Sequence, residues 1–428
     1  MERYEAYKDS RIKWVGQIPA SWEEGTLAHF AEILGSGATP PTDNDLYYDG
    51  GIPWLQVRDL GKGRVAAASR TITKKALEDL SIVRVYRAPF LAIAMYASIG
   101  SISFVKQDSA VNQAICAIAN GGMDLRYLYY HLLSWEPYLL ADGQGGTQKN
   151  ISQQYLRKLG ILVPTLNEQQ AIADYLDAKT AEIDALVADC EREVGLLREY
   201  RKAVISEAVT KGLDPDTPMK DSGVEWIGKI PEGWLVRPSK TLFAEGKELR
   251  RPNDEQCTAS QKHGIIPQAQ YIALENQRMV AADKNLDAWK HVEPNDFVIS
   301  LRSFQGGLEL STVAGCITWH YIVLKGNCLV ESAYYKYLFK TRKYIESLQR
   351  TCTYIRDGQD LRYSNFVQVP LPLPPKIEQV EIGAYLDAKT AEIDSLIDAK
   401  QSMADKLREY RRSLISEAVT GKFKVPGV

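Results

Sequence analysis

The stretch Tyr175-Leu-Asp-Ala-Lys-Thr-Ala-Glu-Ile-Asp184 recurs without change at Tyr385 to Asp394, 210 residues further along the chain. At the same offset, the short segments Arg198 to Arg201 and Ile205 to Thr210 also recur. Ten identical residues in a row do not arise by chance. Because solenoid repeats have periods of about 20 to 50 residues, a period this long indicates a duplicated pair of domains.

A second repeated segment lies outside these stretches. Asp9 to Trp22 contains the pattern Asp-Ser-x-x-x-Trp-x-Gly-x-Ile-Pro-x-x-Trp, which recurs at Asp221 to Trp234 with an offset of 212 residues. One copy follows the first stretch, but nothing comparable follows Thr420, and the other copy stands at the start of the sequence. The layout is therefore circular, and we expect the two ends of the sequence to lie close in space.

The repeated stretches predict two long helices, the first from Asn167 to Thr210. Asn167 is a suitable N-cap with Gln170 at the capping-box position, and Pro375 suits the first turn of the second helix. Gly212 and Gly421 are expected to end the two helices. Apolar residues recur every seven positions, which predicts a coiled coil. The predicted seam comprises Leu176, Ile183, Cys190, Leu197 and Val204 in the first helix and Leu386, Ile393, Leu407 and Leu414 in the second.

The predicted seams match, so the two helices are expected to pair with each other. Arg201 breaks a companion seam in the first helix, and Lys400 interrupts the second helix. The first helix carries the chain away from one domain and the second must carry it back, which favours antiparallel pairing. The alternative is that each is an ordinary amphipathic helix packing on its own domain.

Two segments, 23–165 and 235–374, occupy equivalent places in the repeat without obvious similarity to each other. We expect them to superpose as α/β domains related by an approximate two-fold axis and to face two different targets. Predicted strands are Gly51 to Leu60, Pro89 to Tyr96 and, leading into a glycine turn, Asp296 to Gly307; predicted helices are Asp124 to Leu140 and Ser332 to Leu348.

Composition and charge restrict the class of protein. Of 428 residues, 45% are hydrophobic and 25% charged, as in soluble globular proteins, and the absence of an apolar run of about 18 residues predicts no transmembrane helix. The first 13 residues lack the apolar core of a signal peptide, and the six cysteines form no CxxC pair. These features predict a cytoplasmic protein with free, mostly buried thiols. Both segments are nearly neutral: residues 1–165 contain 17 Lys/Arg and 16 Asp/Glu, and residues 221–374 contain 19 and 17. Charge alone therefore does not predict DNA binding.

Together these residues resemble the specificity subunits of type I restriction–modification systems, over essentially the whole chain. The resemblance rests on the two repeated patterns above. Further elements similar to that family are Gly51-Ile-Pro-Trp54, Val111-Asn-Gln113, Gly146-Thr-Gln-Lys-Asn150 and Leu301-Arg-Ser-Phe-Gln-Gly-Gly307.

The resemblance implies an α+β fold, with two α/β target-recognition domains separated by a pair of long antiparallel coiled-coil helices in a pseudo-two-fold repeat. The implied domains are 1–165 and 213–374, and the implied helical spacers are 166–212 and 375–428. Each domain would read one half of a gapped, asymmetric site in double-stranded DNA. The paired helices would set the gap between the two half-sites and would bind two methyltransferase subunits. Motor-nuclease restriction subunits would join this complex to form the restriction enzyme.

This chain is expected to be non-catalytic and to bind no cofactor, since it lacks the Asp/Asn-Pro-Pro-Tyr/Phe motif and the P-loop pattern. Its five scattered histidines suggest no metal site. S-adenosylmethionine, ATP and Mg²⁺ would bind the partner subunits. The alternative function is a coiled-coil protein–protein scaffold with a binding domain at each end. The near-neutral charge of the two domains fits this alternative slightly better than it fits DNA recognition.

Residue types that contact bases or phosphates suggest the DNA-binding positions, because Arg can bond guanine and Gln or Asn can bond adenine. Val111 to Gln113 is alternatively a structural element, since the family shares it across differing targets. The candidates are Gln56, Arg58, Asn112, Gln113, Gln148 and Lys149 in the first domain and Arg302, Ser303, Gln305, Tyr354 and Arg356 in the second.

Overall fold

A computed structural model of the chain describes residues 2–61, 63–143, 150–276, 285–301, 303–351 and 361–428. It divides into two compact units. Unit 1 comprises Met1–Glu191 and Ser402–Val428, and unit 2 comprises Arg192–Gln401. The division cuts each of the two long helices near its middle, so each unit contains half of both.

The two ends of the sequence meet inside unit 1, as the circular layout predicts. The backbone N–H of Lys424 donates to the carbonyl oxygen of Glu2 at 2.8 Å. The Lys422 ammonium donates to the carbonyl oxygens of Val15 at 2.7 Å and Gln17 at 2.8 Å. Residues near the end of the sequence therefore complete the domain that residues near its start begin.

Helices occupy both units, and none in the described part of the chain combines the length and apolar character needed to span a bilayer. The α-helices are α1 (Leu27–Phe30), α2 (Lys74–Asp79), α3 (Leu125–Ser134), α4 (Glu136–Asp142), α5 (Gln153–Arg157), α6 (Leu166–Lys211), α7 (Gln268–Glu275), α8 (Ser303–Gly306), α9 (Ser332–Leu338), α10 (Arg342–Arg350), α11 (Tyr363–Phe366) and α12 (Lys376–Val419). Short 3-10 helices cover Asp45–Tyr47, Val57–Asp59, Ser239–Thr241 and Leu286–Ala288.

The two long helices form as predicted, but the N-terminal caps differ. Helix α6 begins at Leu166, and Thr165 caps it: its hydroxyl accepts from the Glu168 N–H at 3.4 Å. The prediction of Asn167 as the cap was wrong, because the helix already includes that residue. Pro375 likewise precedes α12 instead of lying in its first turn. At the other ends Gly212 and Gly421 adopt positive φ values of 79° and 66°, which confirms both as C-terminal caps.

Each of the two shorter predicted helices is in fact a pair. Asp124 to Leu140 divides into α3 and α4 at Trp135, because Pro137 has no N–H and its ring would clash with the preceding turn. Ser332 to Leu348 divides into α9 and α10, where Thr341 is extended at ψ 140° and its hydroxyl donates to the Leu338 carbonyl oxygen at 2.8 Å.

Among its described residues, unit 1 contains two main sheets and two small ones. The main sheets have the orders β4-β12-β9-β10-β6 and β7-β5-β11-β8, and β1-β2 and β13-β3 are two-stranded. The β10-β6 and β5-β11 pairs are parallel and the other pairs antiparallel. The strands are β1 (Tyr7–Asp9), β2 (Gln17–Pro19), β3 (Glu23–Thr26), β4 (Ala31–Ser36), β5 (Tyr48–Leu55), β6 (Gly63–Arg64), β7 (Arg70–Ile72), β8 (Val85–Tyr86), β9 (Phe90–Ala94), β10 (Ile102–Val105), β11 (Ser109–Val111), β12 (Ile115–Asn120) and β13 (Gly160–Val163).

Strand β9 explains why the sequence around it is apolar without alternation. All five of its residues are buried. Phe90 and Ala92 pack into one core cluster, whereas Leu91 and Ile93 pack into the larger cluster that includes α3. A strand that is buried on both faces reads as a continuous apolar run. The predicted strand from Pro89 to Tyr96 is therefore confirmed, with β9 as its core.

In the part of unit 2 that the structure describes, the strands form one four-stranded antiparallel sheet, β17-β24-β21-β22, and the two-stranded pairs β14-β15, β16-β25, β18-β19 and β20-β23. Strand β21 lies centrally, as β9 does, with Phe297 and Ile299 in one core cluster and Val298 in another. The strands are β14 (Met219–Asp221), β15 (Lys229–Pro231), β16 (Leu235–Arg237), β17 (Phe243–Gly246), β18 (Cys257–Ser260), β19 (Gly264–Pro267), β20 (Lys290–Val292), β21 (Phe297–Ile299), β22 (Glu309–Leu310), β23 (Gly315–Ile317), β24 (Ile322–Gly326) and β25 (Leu371–Leu373).

Within unit 1 the first half of α6 lies antiparallel to the second half of α12. Asp184 pairs with Arg411, whose Nε lies 2.9 Å from the carboxylate, and Glu191 pairs with Arg408. Residue numbers rise along one helix as they fall along the other, which confirms the predicted direction. Exposed ion pairs contribute about 0 to 1 kcal/mol each, so the buried apolar seam supplies most of the stability of the helix pair.

Within unit 2 the other halves pair in the equivalent way. Arg201 Nε lies 2.8 Å from the Asp394 carboxylate, and Lys400 pairs with Glu193. The Arg201–Asp394 pair is the copy of Arg411–Asp184 at the 210-residue offset. The two cations that interrupt the apolar seams therefore have partners on the facing helix. Of the predicted seam, Leu176, Ile183, Cys190, Leu386, Ile393 and Leu414 are buried, and Leu197, Val204 and Leu407 are half-buried.

His131 in α3 gives unit 1 a pH dependence. Burial lowers the pKa of this imidazole to about 3 from an ordinary 6.5, and its Nε2 accepts a hydrogen bond from the Leu162 N–H at 3.1 Å. Because the folded state binds this proton less readily than the unfolded state, the stabilisation is present above about pH 6.5. It decreases as the pH falls toward 3, by about 1.4 kcal/mol per pH unit.

We expect His131→Gln, which keeps an acceptor for Leu162 but does not titrate, to remove this dependence. Between pH 7 and pH 4 its free energy of unfolding should fall by roughly 3 kcal/mol less than that of the unmodified chain. Urea denaturation across this pH range measures the difference. His29→Gln, at an exposed histidine of α1, is the control and should follow the unmodified chain. Equal pH dependence in all three proteins would contradict the assignment.

Candidate functional site

Three of the predicted contact residues are brought together by a parallel strand pair in unit 1. Strands β5 and β11 run side by side with Leu55 opposite Val111, and the Asn112 N–H donates to the Leu55 carbonyl oxygen at 3.0 Å. The carboxyl ends of parallel strands lie at one edge of a sheet. Gln56, Asn112 and Gln113 therefore emerge at the same edge.

The side chains at this edge differ in their exposure and in the hydrogen bonds that they already make within the chain. The Asn112 carbonyl accepts from the Ala114 N–H at 3.1 Å, which closes an Asx turn and favours a structural role for this residue. Gln113 is exposed, and its carbonyl accepts from the Thr39 hydroxyl, which leaves its amide group as a donor. Gln56 is half-buried at the start of the 3-10 helix. Gln113 is thus the most available of the three.

Arg58 lies in the 3-10 helix that follows β5. Its side chain is exposed, and Nε donates to the Ser69 hydroxyl at 3.0 Å. Asp59 fixes both flanks of this turn, because its carboxylate accepts from the backbone N–H of Gln56 at 2.8 Å and of Ser69 at 3.1 Å. These bonds hold the turn at both flanks, and the guanidinium has four further N–H donors besides the one bound to Ser69.

In unit 2 two predicted residues lie in the short helix α8 after β21. The Ser303 hydroxyl is fully buried and accepts from the Ser300 N–H at 2.8 Å, so it closes the turn and is not presented at the surface. Gln305 is exposed. The other predicted contacts, Gln148, Lys149, Arg302, Tyr354 and Arg356, lie outside the described residues.

Each unit also has a tryptophan that joins its domain to a long helix. The Trp22 indole is fully buried and its N–H donates to the Glu168 carboxylate at 2.9 Å. The Trp234 indole makes the same bond to Glu378 at 2.7 Å. Both partners stand at equivalent places of the repeat, which explains why the motif ending in tryptophan recurs.

A buried glutamine on each long helix holds the start of a domain helix. The Gln169 carbonyl accepts from the Asp124 N–H at 2.8 Å, and the Gln379 carbonyl accepts from the Glu331 N–H at 2.9 Å. The side-chain amide of each glutamine donates at 2.9 Å to the carbonyl oxygen of the proline five residues earlier, Pro164 or Pro374. A tyrosine completes the attachment: Tyr130 donates to Asp177 at 2.7 Å and Tyr337 to Asp387 at 2.6 Å.

Sequence reasoning missed these attachment residues. The signal for Glu168 and Gln169 was present, because Glu378 and Gln379 repeat them at the 210-residue offset. The tyrosines gave no such signal, since they lie in the divergent segments. The duplicated attachment means that each unit holds a different domain on its own part of the long helices in the same way.

Four described thiols are buried, as predicted: Cys116, Cys190, Cys257 and Cys316. Burial raises the pKa of Cys116 and of Cys257 to about 12, so both are protonated at neutral pH and pack as small apolar groups. Cys328 is exposed, and Cys352 lies outside the described residues. Within the described ranges, no three His, Cys, Asp or Glu side chains form a group that could hold a metal ion.

Comparison with known proteins bears on these arrangements. Residues 19–189 match the family described as type I restriction modification DNA specificity domain. The chain is 26% identical to the type I restriction enzyme MjaIX specificity subunit of Methanocaldococcus jannaschii, over 52% of each protein, so the match spans about half of that relative's length. It is 23% identical to the putative MjaX specificity subunit of that organism, over 89% of this chain and 90% of the relative.

The fold also has solved counterparts. A chain from a structural study of complex assembly and conformational transition in the type I R-M system has a TM-score of 0.71 at 16% identity, covering 94% of this chain and 99% of that chain. The HsdS subunit from Thermoanaerobacter tengcongensis has a TM-score of 0.53 at 16% identity, covering 94% and 98%. These likenesses establish a shared fold of mixed sheets and long helices.

Proposed function

We propose that this chain is a specificity subunit of a type I restriction–modification system, which recognises a bipartite, gapped DNA sequence and reads one half with each unit. The observation that carries the proposal is the duplicated attachment of two dissimilar domains. Trp22 with Glu168 and Trp234 with Glu378 attach each domain to a long helix in the same way, while the exposed strand ends differ. The same attachment suits an equivalent approach of each domain to a duplex, and different strand ends suit two different half-sites.

The proposed partners are double-stranded DNA, two methyltransferase subunits and motor-nuclease restriction subunits. The chain itself is non-catalytic in this proposal, and S-adenosylmethionine, ATP and Mg²⁺ bind the partner subunits. The paired long helices offer the partners exposed apolar side chains, among them Leu196 and Met403. The complex would act in the cytoplasm, where the DNA is and where free thiols persist.

The experiment combines the purified chain with its cognate methyltransferase subunits and maps methylated adenines on duplex DNA. We expect methylation at one gapped sequence from the complex and none from the chain alone. Binding should weaken steeply as salt rises, because phosphate contacts release counterions.

A duplex in which one half-site is scrambled is the matched control and should lose methylation. Methyl transfer by the rigorously purified single chain would contradict its non-catalytic role. A stable complex that binds no duplex DNA would instead favour a protein–protein scaffold.

A further inference from the structure

The turn after the central strand of unit 1 presents an aromatic side chain. Strand β9 ends at Ala94, Met95 is buried, and Tyr96 is 46% exposed. The register places Ala94 opposite Ile115 of β12, and the Met95 N–H donates to the Ala114 carbonyl oxygen at 2.8 Å. Gln113 lies in the turn that leads into β12, next to Ala114.

This turn is held in a strained conformation. Ala97 has a φ of 62°, in the left-handed region that is unfavourable for a residue with a β-carbon. Hydrogen bonds maintain it: the Ser98 N–H donates to the Tyr96 carbonyl oxygen at 2.7 Å, and the Ile151 N–H donates to that of Met95 at 3.0 Å. Such strain occurs preferentially where a side chain must be aimed at a ligand.

A turn also follows the equivalent strand of unit 2. Strand β21 ends at Ile299, and Leu301, two residues further, is 59% exposed. The register places Ile299 opposite Ile322 of β24, and the turn that leads into β24 contains Trp319 and His320. His320 is exposed and stacks on Trp319, which is 43% exposed, with ring centroids 3.4 Å apart.

One exposed apolar side chain is ordinary, but a matched pair on equivalent turns of two dissimilar domains is not explained by packing. In each unit the turn follows the central strand, β9 or β21. It adjoins a second turn, which precedes the neighbouring antiparallel strand, β12 or β24. In unit 1 this gives a tyrosine beside a glutamine. In unit 2 it gives a leucine beside a stacked tryptophan and histidine.

We propose that these paired turns form the base-reading tip of each unit, with Tyr96 and Gln113 in one and Leu301 and Trp319 in the other. The ligand is the edge of base pairs in duplex DNA. The amide of Gln113 suits adenine, and the apolar side chains of Leu301 and Trp319 suit the methyl group of thymine. This assignment rests on the proposed function and names its specificity-determining residues.

The test uses the chain assembled with its methyltransferase subunits. Methylated adenines are mapped for the unmodified complex and for the Tyr96→Ala and Trp319→Ala complexes, and each base of the mapped site is then varied in competition binding. Tyr96→Ala should reduce discrimination about 5- to 150-fold at one or two positions of one half-site only. Trp319→Ala should do the same in the other half-site.

Uracil in place of thymine, which removes only the methyl group, should weaken binding of the unmodified complex at the position that Trp319 reads. It should not weaken binding of the Trp319→Ala complex further. Tyr96→Phe keeps the ring and should retain discrimination. Leu46→Ala is the matched surface control, since Leu46 is 64% exposed just before β5, at the end of that strand away from Gln56.

Unchanged discrimination in both alanine variants, with the melting temperature preserved, would overturn the tip assignment while leaving the proposed function intact. Altered discrimination in the wrong half-site, or in both, would overturn it too. Failure of the unmodified complex to bind or methylate a gapped site would instead be a failure of the proposed function, which the same mapping reveals first.

Discussion

Four residues inserted into each long helix, between Glu191 and Arg192 and between Gln401 and Ser402, are expected to lengthen the gap of the methylated sequence by one or two base pairs. Four helical residues add roughly 6 Å, close to two base-pair steps of 3.4 Å. They also turn the following segment by only about 40°, since one turn takes 3.6 residues. Both half-sequences should be unchanged.

The position of the insertions follows from the structure. The pairs Asp184–Arg411 and Arg201–Asp394 each lie within one unit, so insertions at the division between the units leave both intact. A matched two-residue insertion at the same places is the control. It turns the following segment by about 200°. We expect this variant to be inactive or badly impaired in methylation.

Mapping methylated adenines in cells that contain each variant with the methyltransferase partner measures both effects. An active four-residue variant with an unchanged gap would show that the helices do not set the spacing. An altered half-sequence in either variant would show that the insertion disturbs the recognition domains themselves.

The long helices were predictable because the apolar pattern that indicates them is local and occurs in both copies of the repeat. A seven-residue apolar period and an identical copy predict the helices and their pairing, and the connectivity of the chain predicts their antiparallel direction. The interruptions at Arg201 and Lys400 correspond to interhelical ion pairs. The caps were less predictable, because Thr165 and Asn167 are both good N-cap residues and packing decides which residue starts the helix.

The candidate site was only partly predictable, because strand pairing is non-local. Residue types alone suggested Gln56 and Gln113, but only the parallel pairing of β5 with β11 places them at one edge. Residue type also suggested Ser303, whose hydroxyl proves to be buried in a turn. Tyr96 and Trp319 were missed because exposure at a strand end depends on register, and nothing in their neighbouring sequence encodes it.

The second large effect concerns Trp22 and Trp234, which attach the two domains to the long helices α6 and α12. Trp22 is fully buried and packs edge-on against Tyr4 with ring centroids 5.8 Å apart. Trp22→Ala removes this packing and leaves the buried Glu168 carboxylate without the indole N–H. We expect the free energy of unfolding to fall by about 3 to 5 kcal/mol.

Trp234→Ala is the matched variant in the other unit, where the same indole bond is made to Glu378. Because the two units have separate core clusters, Trp22→Ala should weaken the unfolding transition of unit 1 and Trp234→Ala that of unit 2. Trp22→Phe keeps most of the apolar area but loses the hydrogen bond, so its effect should be smaller, about 1 to 3 kcal/mol. Urea denaturation followed by far-ultraviolet circular dichroism distinguishes these cases. A loss below 1 kcal/mol for both alanine variants would mean that the recurring tryptophans do not hold the domains on the helices, and the reason for their repetition would then have to be sought in partner binding.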